Sequence, residues 1–359
     1  MCVSVWRMGE VTIKDVARRA GVSTATVSRV LNNSGYFDKR TARLVNEAVE
    51  ALSYQRNIHW KRLSQNSSET ICFLLGNREA LNSMQVKMLM ASEQTLTQAG
   101  YDLVFAAFRY SPETPPKHLT LPRLVANRGT VDGVILAGVH HENLLDALTD
   151  AKLPYVMLGN TYIGSKSKLK TDALVYDDVA GAYEATKYLA RFGHRRIAFV
   201  GNTNLPWFKR RYDGYARALK EERIAQLAVT EPWGVGYIEY GQLATGELLR
   251  RPDPPTAIFG GNDEIAGGAW KALVSRGIAI PREMSLMGFG DREDFSILEP
   301  SLTTVTVFQE KVGAELATML LQKLKNPKAR VESRMFPCQI IERSSCAAPA
   351  ATLRLTHRK

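Results

Sequence analysis

The segment from Thr12 to Asn32 constrains this chain most, because its pattern predicts two short helices joined by a tight turn. Thr12 is expected to cap the first helix, with Asp15 three residues later in the acidic position of a capping box. Gly21 supplies the positive φ that ends this helix. The residues predicted to share its buried face recur at helical spacing: Ile13, Val16, Ala17 and Ala20.

The second helix of this segment is predicted to begin after Ser23, whose hydroxyl caps it. Its inward residues are Val27, Val30 and Leu31, and its outer face carries Thr24, Ala25, Thr26, Ser28, Arg29 and Asn32. A small, hydroxylic and basic face suits a helix that lies in a major groove against phosphates. The alternative is an ordinary helical hairpin with a solvated face, but such a face normally uses Glu and Lys, which form helices better.

Ile13–Asn32 resembles, without a gap, the helix-turn-helix of the lac repressor family. The resemblance implies that Val22–Asn32 is the recognition helix and that Thr24, Ala25 and Arg29 face the bases. Arg29 has the reach for a bidentate contact to guanine, so most direct readout is expected there. The positions that match phosphate contacts are Thr12, Ser23, Thr26, Ser28, Asn32, Tyr36 and Thr41.

A third helix, predicted from Asp38 to Leu52, completes a DNA-binding domain over residues 9–56. Its inward positions are Val45, Ala48, Val49 and Leu52. Residues 1–65 hold 11 Lys and Arg against 5 Asp and Glu, a net charge of +6 out of +11 for the chain. A small domain that carries about half of the excess charge is expected to bind a polyanion.

Residues 57–68 are predicted to form a hinge helix followed by a flexible linker. The resemblance implies that residues 57–63 become helical on DNA, with two copies packed together and a leucine wedged into the minor groove. The candidate hinge contacts are Asn57, Trp60, Lys61 and Leu63. Arg56, Trp60 and Lys61 depart from the family's usual proline, alanine and arginine, and a basic linker without a groove contact remains the alternative.

From Thr70 onward, apolar strands alternate with amphipathic helices in two successive sets, which predicts two doubly wound lobes with parallel sheets. Further segments resemble the lac repressor family: 193–201, 214–215, 262–269, 285–291 and 300–305. The resemblance implies an α/β, two-lobed periplasmic-binding-protein-like core over residues 69–346, whose chain crosses between lobes three times. Lobe one is expected at 69–171 plus 307–336, and lobe two at 172–306 plus 337–346.

The same resemblance implies a small effector between the lobes. Its candidate contacts are Met84, Gln85, Asn160, Trp207, Arg211, Asn262 and Asp291. Trp207, placed in the loop after Val200, suits stacking on a sugar, although a surface or interface aromatic is equally consistent with it. For Arg211, the alternative to an effector contact is a cation on the protein surface at the start of a helix. Gly159 and Gly290 stand where the family often has aspartates, so a neutral or an anionic sugar-like ligand is expected, and the choice stays open.

Other classes of protein are disfavoured. No apolar run approaches the length of a membrane span, and the residues before Met8, itself a possible start, are too short for a signal peptide, so a cytoplasmic protein is expected. Cys72 and Cys338 lie in apolar runs and are predicted to be buried thiols, and His140-His141 is predicted to be a solvated polar pair. Because neither pair has the spacing of metal ligands, no metal and no other cofactor is expected. Residues 347–359 are expected to form a disordered basic tail.

The sequence therefore predicts a transcriptional regulator, most simply a repressor, that binds a palindromic operator as a homodimer and responds to a sugar-like effector. The alternative is a binding protein of the same core fold that serves transport or sensing. An enzyme is disfavoured, because Gly288-Phe289-Gly290 lacks the third glycine of a dinucleotide fingerprint and no phosphate-binding lysine motif is present. The expected partners are double-stranded DNA, the effector and a second copy, with no membrane. Whether the effector releases or promotes DNA binding stays open.

Overall fold

The computed structural model describes residues 11–32, 35–54, 67–326 and 330–349, without the side chain of Asn32. The chain divides into two compact units, residues 1–67 and 68–359. The predicted start at Met8 and the hinge residues Asn57, Trp60, Lys61 and Leu63 lie outside the described residues, as does the tail after 349.

The first unit consists of three helices, α1 (Ile13–Ala20), α2 (Thr24–Asn32) and α3 (Lys39–Ala51), in its described part. Gly21 follows α1 with φ of 66°, as the sequence predicted. Val16, Val27 and Val45, one from each helix, are fully buried and form the centre of a small apolar core. Each helix therefore turns its predicted apolar face inward.

The second unit contains two parallel sheets. The first sheet comprises β1 (Thr70–Gly76), β2 (Asp102–Phe108), β3 (Gly133–Gly138), β5 (Tyr155–Leu158), β7 (Ala173–Tyr176) and β13 (Arg334–Phe336), in the order β13-β7-β5-β3-β1-β2. A short pair, β4 (His140–His141) and β6 (Tyr162–Ile163), lies outside it. Every residue of β1 is buried, and Ile71 aligns with Leu103 on one side and Gly133 on the other.

The second sheet comprises β8 (Ile197–Val200), β9 (Leu227–Val229), β10 (Ala257–Gly260), β11 (Ser285–Phe289), β12 (Thr303–Thr306) and β14 (Gln339–Ile341), in the order β14-β12-β11-β10-β8-β9. Its strands are parallel except for β14, which runs antiparallel to β12. Continuous apolar strands of this kind need helices on both faces.

The helices of this unit, in chain order, are α4 (Ser83–Gln98), α5 (Arg123–Ala126), α6 (Glu142–Asp150), α7 (Asp178–Arg191), α8 (Pro206–Glu221), α9 (Tyr237–Leu249), α10 (Asp263–Val274), α11 (Glu293–Ser296) and α12 (Gln309–Lys325). Single 3₁₀ turns lie at Pro116–His118, Gly159–Thr161 and Lys166–Lys170. Helix α12 packs against α4 in the lobe of the first sheet, whereas α7 packs against α8 in the lobe of the second. None of the described helices is long and apolar enough to cross a bilayer.

The boundary predicted after residue 171 is wrong by five residues. Strand β7 belongs to the first sheet, where Ala173 pairs with Met157 and Leu174 pairs with Arg334. The chain therefore first crosses to the second lobe after Tyr176 and crosses again after β12 and after β13. The predicted start of the tail also falls too early, because the amide of Ala347 donates to Oγ of Ser285 in β11 at 3.0 Å.

Helices α9 and α10 approach each other at two glycines. A Cβ on Gly241 would lie 2.1 Å from the carbonyl oxygen of Ile265, and a Cβ on Gly268 would lie 2.0 Å from that of Ile238. No real side chain tolerates such distances. The close approach of this helix pair, on one face of the second sheet, therefore depends on the missing side chains.

Candidate functional site

Helix α1 begins in the capping arrangement that the sequence predicted. The backbone N–H and the hydroxyl of Thr12 both donate to Oδ2 of Asp15, at 3.0 and 2.7 Å. These hydrogen bonds lower the pKa of Asp15 below its ordinary value. The start of α1 is therefore fixed within the first turn.

Helices α2 and α3 are capped by side-chain oxygens of the residues that precede them, which accept hydrogen bonds from the first turn. Oγ of Ser23 accepts a hydrogen bond from the amide of Thr26 at 3.0 Å, as expected for the cap of α2. The carboxylate of Asp38 accepts from the amide and the hydroxyl of Thr41, at 2.8 and 2.9 Å. These two bonds hold the pKa of Asp38 below its ordinary value.

The side chains predicted to read bases share the solvent-facing side of α2. Thr24, Ala25 and Arg29 are exposed, whereas Val27 on the opposite side is fully buried. Helix α2 therefore presents these three side chains away from the core of the unit. Their contacts with bases remain a prediction.

The predicted phosphate contacts also remain predictions. Tyr36 is 94% exposed, and Ser23 and Thr12 are exposed as well. The hydroxyls of Thr12 and Thr41 already donate to carboxylates within the unit. Each would have to turn from its carboxylate before it donated to a phosphate oxygen. The remaining members are Thr26 and Ser28, which are half-buried, and Asn32, whose side chain lies outside the described atoms.

A cavity of about 70 Å³ lies between the two lobes of the second unit. Five of the seven predicted effector contacts line it: Met84, Gln85, Trp207, Arg211 and Asn262. Gln85 and Asn262 sit at the beginnings of α4 and α10, at the ends of strands where a doubly wound fold places its ligands. These five side chains thus share one cavity, and their contacts with an effector remain a prediction.

Arg211 lies in the wall of this cavity rather than on the surface. Its Nε donates to Oδ1 of Asp178 at 2.8 Å and its Nη1 donates to the carbonyl oxygen of Gly261 at 2.7 Å. The guanidinium carbon lies 3.8 Å from the ring centre of Phe289, as in a cation–π contact. Because Asp178 is fully buried beside it, the positive charge of Arg211 is neutralised inside the protein.

Asn160 does not line the cavity, contrary to its predicted role. Its Nδ2 donates to the carbonyl oxygen of Tyr176 at 2.8 Å and to Oδ2 of Asp178 at 2.9 Å, and its Oδ1 accepts the amide of Tyr176. Asn160 is 2% exposed. Its amide is therefore used to fix the first crossing between lobes.

Asp291 does not line the cavity either, although its neighbour Gly290 does. Oδ1 of Asp291 lies 2.6 Å from Nη2 of Arg343, and the two side chains are equally shielded from solvent. This carboxylate is therefore engaged in an ion pair with a residue near the end of the described chain. A partner 52 residues away could not be inferred from the local turn.

Trp207 lies in the first turn of α8, and not in a loop as the sequence predicted. Helix α8 begins at Pro206, a residue that is favoured at the first helical position because it has no amide hydrogen to satisfy. Trp207 is 5% exposed and faces the cavity together with Tyr237. The proline was the signal that would have placed the helix start correctly.

Sequence reasoning missed the remaining cavity residues: Arg78, Asn82, Gly138, Leu158, Thr161, Tyr176, Tyr237, Glu264, Phe289 and Arg292. Asn82 was detectable, because it forms a capping box with Gln85: the amide of Gln85 donates to Oδ1 of Asn82 at 3.1 Å, and the amide of Asn82 donates to Oε1 of Gln85 at 2.9 Å. The others come from seven different elements and two loop positions, and no local pattern groups them.

Two further arginines lie in the cavity wall with different environments. Nη1 of Arg292 is 2.6 Å from a carboxylate oxygen of Glu264, and its Nη2 is 2.6 Å from one of Asp294. Nε of Arg78 is buried and has no hydrogen-bond partner. The wall thus contains one compensated and one uncompensated cation besides Arg211.

Comparison with protein families matches both units. The family of bacterial regulatory proteins described as lacI matches residues 12–57, and a periplasmic binding protein-like domain matches residues 186–346. These ranges contain the helices α1 to α3 and most of the second lobe. They agree with the fold class that the sequence predicted.

Individual proteins are similar over nearly the whole chain. The transcriptional repressor PurR of Actinobacillus pleuropneumoniae serotype 3 is 30% identical over 326 residues, which cover 89% of this chain and 93% of the repressor. The structure of the lac repressor dimer bound to operator and an anti-inducer has a TM-score of 0.78 at 24% identity, with 95% and 100% coverage. The CelR–cellobiose complex has a TM-score of 0.66 at 25% identity, with 93% and 99% coverage.

Proposed function

Because the chain belongs to the lacI family of bacterial regulatory proteins, we propose that it is a repressor that binds a palindromic operator as a homodimer. A small ligand between the lobes switches its affinity for DNA. The role is one of binding and not of catalysis, and it is exercised in the cytoplasm, where the chromosome is. The observation that carries the proposal is the exposed side of α2 with Thr24, Ala25 and Arg29.

The pairing of two chains is supported by physics and by exposed apolar side chains. A single unit of three helices buries too little surface for strong specific affinity, and two half-sites roughly double the contact free energy. In the second unit, Val86 and Met90 on α4 and Phe105 on the edge strand β2 are 41%, 57% and 42% exposed. Ile238 and Leu243 on α9 extend this pattern to the second lobe. A second copy is the partner proposed for these faces.

The switch is proposed to act through the separation of the lobes. A cavity of about 70 Å³ is smaller than the roughly 300–1,000 Å³ of ordinary ligand pockets, so a ligand requires the lobes to move. A ligand shifts such an equilibrium only through its different affinity for the two states. The aromatic walls formed by Trp207 and Tyr237 suit the apolar face of a sugar, and cellobiose is bound in the related CelR complex.

The alternative is a binding protein of the same core fold that serves transport or sensing. The family match over residues 12–57 and the capped, outward-facing α2 favour the regulator, because a binding protein has no use for a DNA-reading helix. The two functions predict opposite results with DNA.

The proposal is tested by gel shift with the chain's own upstream DNA and an unrelated fragment of equal length. We expect selective retention of the upstream fragment in excess competitor DNA. Ala25→Glu places a negative charge on the exposed side of α2 and should abolish the shift through repulsion of phosphates. Asn46→Glu makes the same charge change on the exposed surface of α3 and serves as the matched control.

Two results contradict the proposal. One is equal binding of both fragments, or none, by a folded protein. The other is a monomer in analytical ultracentrifugation at a concentration of protein that saturates the DNA. The direction of the ligand's effect follows from repeating the gel shift with each compound found to bind.

A further inference from the structure

Arg78 differs from the other charged side chains of the cavity wall. Its Nε is buried without a hydrogen-bond partner, and no carboxylate of the described residues forms an ion pair with it. Nη1 of Arg292 also lacks a well-aligned hydrogen bond, but it lies 2.6 Å from the carboxylate of Glu264. Arg78 follows β1 by two residues, so the strand end directs it to the cavity. A guanidinium donor that is buried and unsatisfied is costly unless a ligand accepts from it.

Two side chains that feel the charge of Arg78, His140 and Tyr237, are themselves uncharged near pH 7. Burial is the main cause that lowers the pKa of His140 to about 3, and the charge of Arg78 contributes to this effect. Burial raises the pKa of Tyr237, against a smaller opposing effect of Arg78. Neither side chain therefore balances the charge of Arg78.

The other two cations of the wall already have their counterions. Asp178 neutralises Arg211 at 2.8 Å, and Glu264 lies 2.6 Å from Arg292. Since Glu264 is engaged in this pair, the carboxylate in the wall is not free to balance Arg78. Among the three arginines of the wall, Arg78 is thus the one without an ion-pair partner among the described residues.

The amide side chains of the wall also favour a ligand that accepts hydrogen bonds. Oδ1 of Asn82, Oε1 of Gln85 and Oδ1 of Asn262 each accept a backbone amide at the start of a helix. These caps fix the orientation of each amide, so the NH₂ groups of Asn82 and Gln85 remain to donate to a ligand. Nδ2 of Asn262 donates to Oε2 of Glu264 at 3.4 Å, which leaves its second N–H. Helices α4 and α10 also direct their positive N-terminal ends toward the cavity.

From this arrangement we infer that the effector is an acid, whose carboxylate or phosphate group lies against Arg78. The inference rests on the proposed function and narrows it, because the sequence left a neutral and an anionic sugar-like ligand open. Arg78 is then the residue that selects acids over their neutral counterparts. Arg211 and Arg292 form ion pairs within the protein, so their positive charges are not the ones that select an acid.

Calorimetry with matched pairs tests this assignment on the full chain. The probes are D-glucuronate against D-glucose, D-galacturonate against D-galactose, and D-glucose 6-phosphate, which separates phosphate from carboxylate. We expect at least one acid to bind at least tenfold more tightly than its neutral partner. Arg78→Gln should remove this preference. Arg78→Lys should retain part of it, because lysine keeps the positive charge but lacks the planar guanidinium that can donate two parallel hydrogen bonds.

Arg109→Gln is the matched control, because it removes one positive charge from an exposed position just after β2. It should leave every affinity unchanged. A neutral sugar that binds as tightly as its acid, a preference that survives Arg78→Gln, or the failure of every acid to bind overturns the inference. Gel shift with the upstream DNA separates these failures from failure of the proposed function, because Arg78→Gln leaves the DNA-binding unit unaltered.

Discussion

Nε of Arg211 lies 2.8 Å from Oδ1 of Asp178, and both side chains are almost completely excluded from solvent. Asp178 is the first residue of α7, directly after the first crossing between lobes, and Arg211 projects from α8. Arg210 and Asn160 contact the other carboxylate oxygen at 2.7 and 2.9 Å. One carboxylate therefore joins the crossing segment, helix α8 and the wall of the cavity.

Replacement of Asp178 by Asn should destabilise the protein strongly. The substitution leaves the guanidinium of Arg211 buried without its counterion, and the loss of one partner of a buried pair costs about 3–5 kcal/mol. Urea denaturation of the full chain measures this free energy of unfolding. Asp213→Asn, in the middle of α8, removes an exposed partner of Lys209 and should cost no more than about 1 kcal/mol. Similar losses in both variants would contradict the importance of Asp178 as the buried counterion of Arg211.

Substitutions at two glycines of α9 should have opposite effects. Gly241→Ala forces a methyl group against the carbonyl oxygen of Ile265, so α9 and α10 must separate, at a cost of about 1–3 kcal/mol or more. Gly246→Ala, five residues later, meets only the flexible ends of Arg276 and Arg250, at 3.4 and 3.8 Å. It should be neutral or stabilising by up to about 1 kcal/mol, because alanine favours the helix. Thermal unfolding of both variants checks the difference, and equal midpoints would refute it.

Features that depend on local chemistry were predictable from the sequence. The Thr12 and Asp15 arrangement, the positive φ of Gly21 and the Ser23 cap each involve residues within a few positions of one another. The alternation of strands and helices likewise follows from local periodicity. These features were sufficient to define the fold class and to place the cavity at the ends of the strands.

Features that depend on distant partners were not predictable. The run from Ala173 to Tyr176 gives no sign that it pairs with Arg334–Phe336 in the first sheet. Asp291 was expected to face the ligand, but its carboxylate forms an ion pair with Arg343. Arg78 gave no signal in the sequence, because what distinguishes it is the lack of an ion pair, and the fold decides that Glu264 pairs with Arg292 instead.

Asp263 should give the stability of the protein a specific pH dependence. Burial raises the pKa of this carboxyl from 3.8 to about 6, although the amide of Arg292 and the hydroxyl of Thr304 donate to it. Between these pH values the folded state binds a proton that the unfolded state has lost. The contribution of Asp263 to stability therefore falls as pH rises from about 4 to 6, by up to about 3 kcal/mol.

The variant Asp263→Asn isolates this effect, because its side chain does not titrate. The free energy of unfolding of the variant, minus that of the natural chain, should rise between pH 4 and pH 7. Asp253→Asn, an exposed position before β10, is the control and should show a flat difference. A flat difference for Asp263→Asn as well would show that burial does not perturb this carboxyl.

Arg29 should carry most of the direct base readout, because its neighbours Thr24 and Ala25 offer only small groups to base edges. Arg29→Ala is expected to weaken binding to the specific site by about 1–3 kcal/mol and to relax the preference at one base position. Fluorescence anisotropy with the upstream site, substituted one base pair at a time, measures both effects. Arg43→Ala removes an exposed cation from α3 and should leave the preference at every position intact. An equal loss of affinity for specific and random DNA after Arg29→Ala would assign Arg29 to the phosphates instead, and the specificity would then rest on the shape of the DNA.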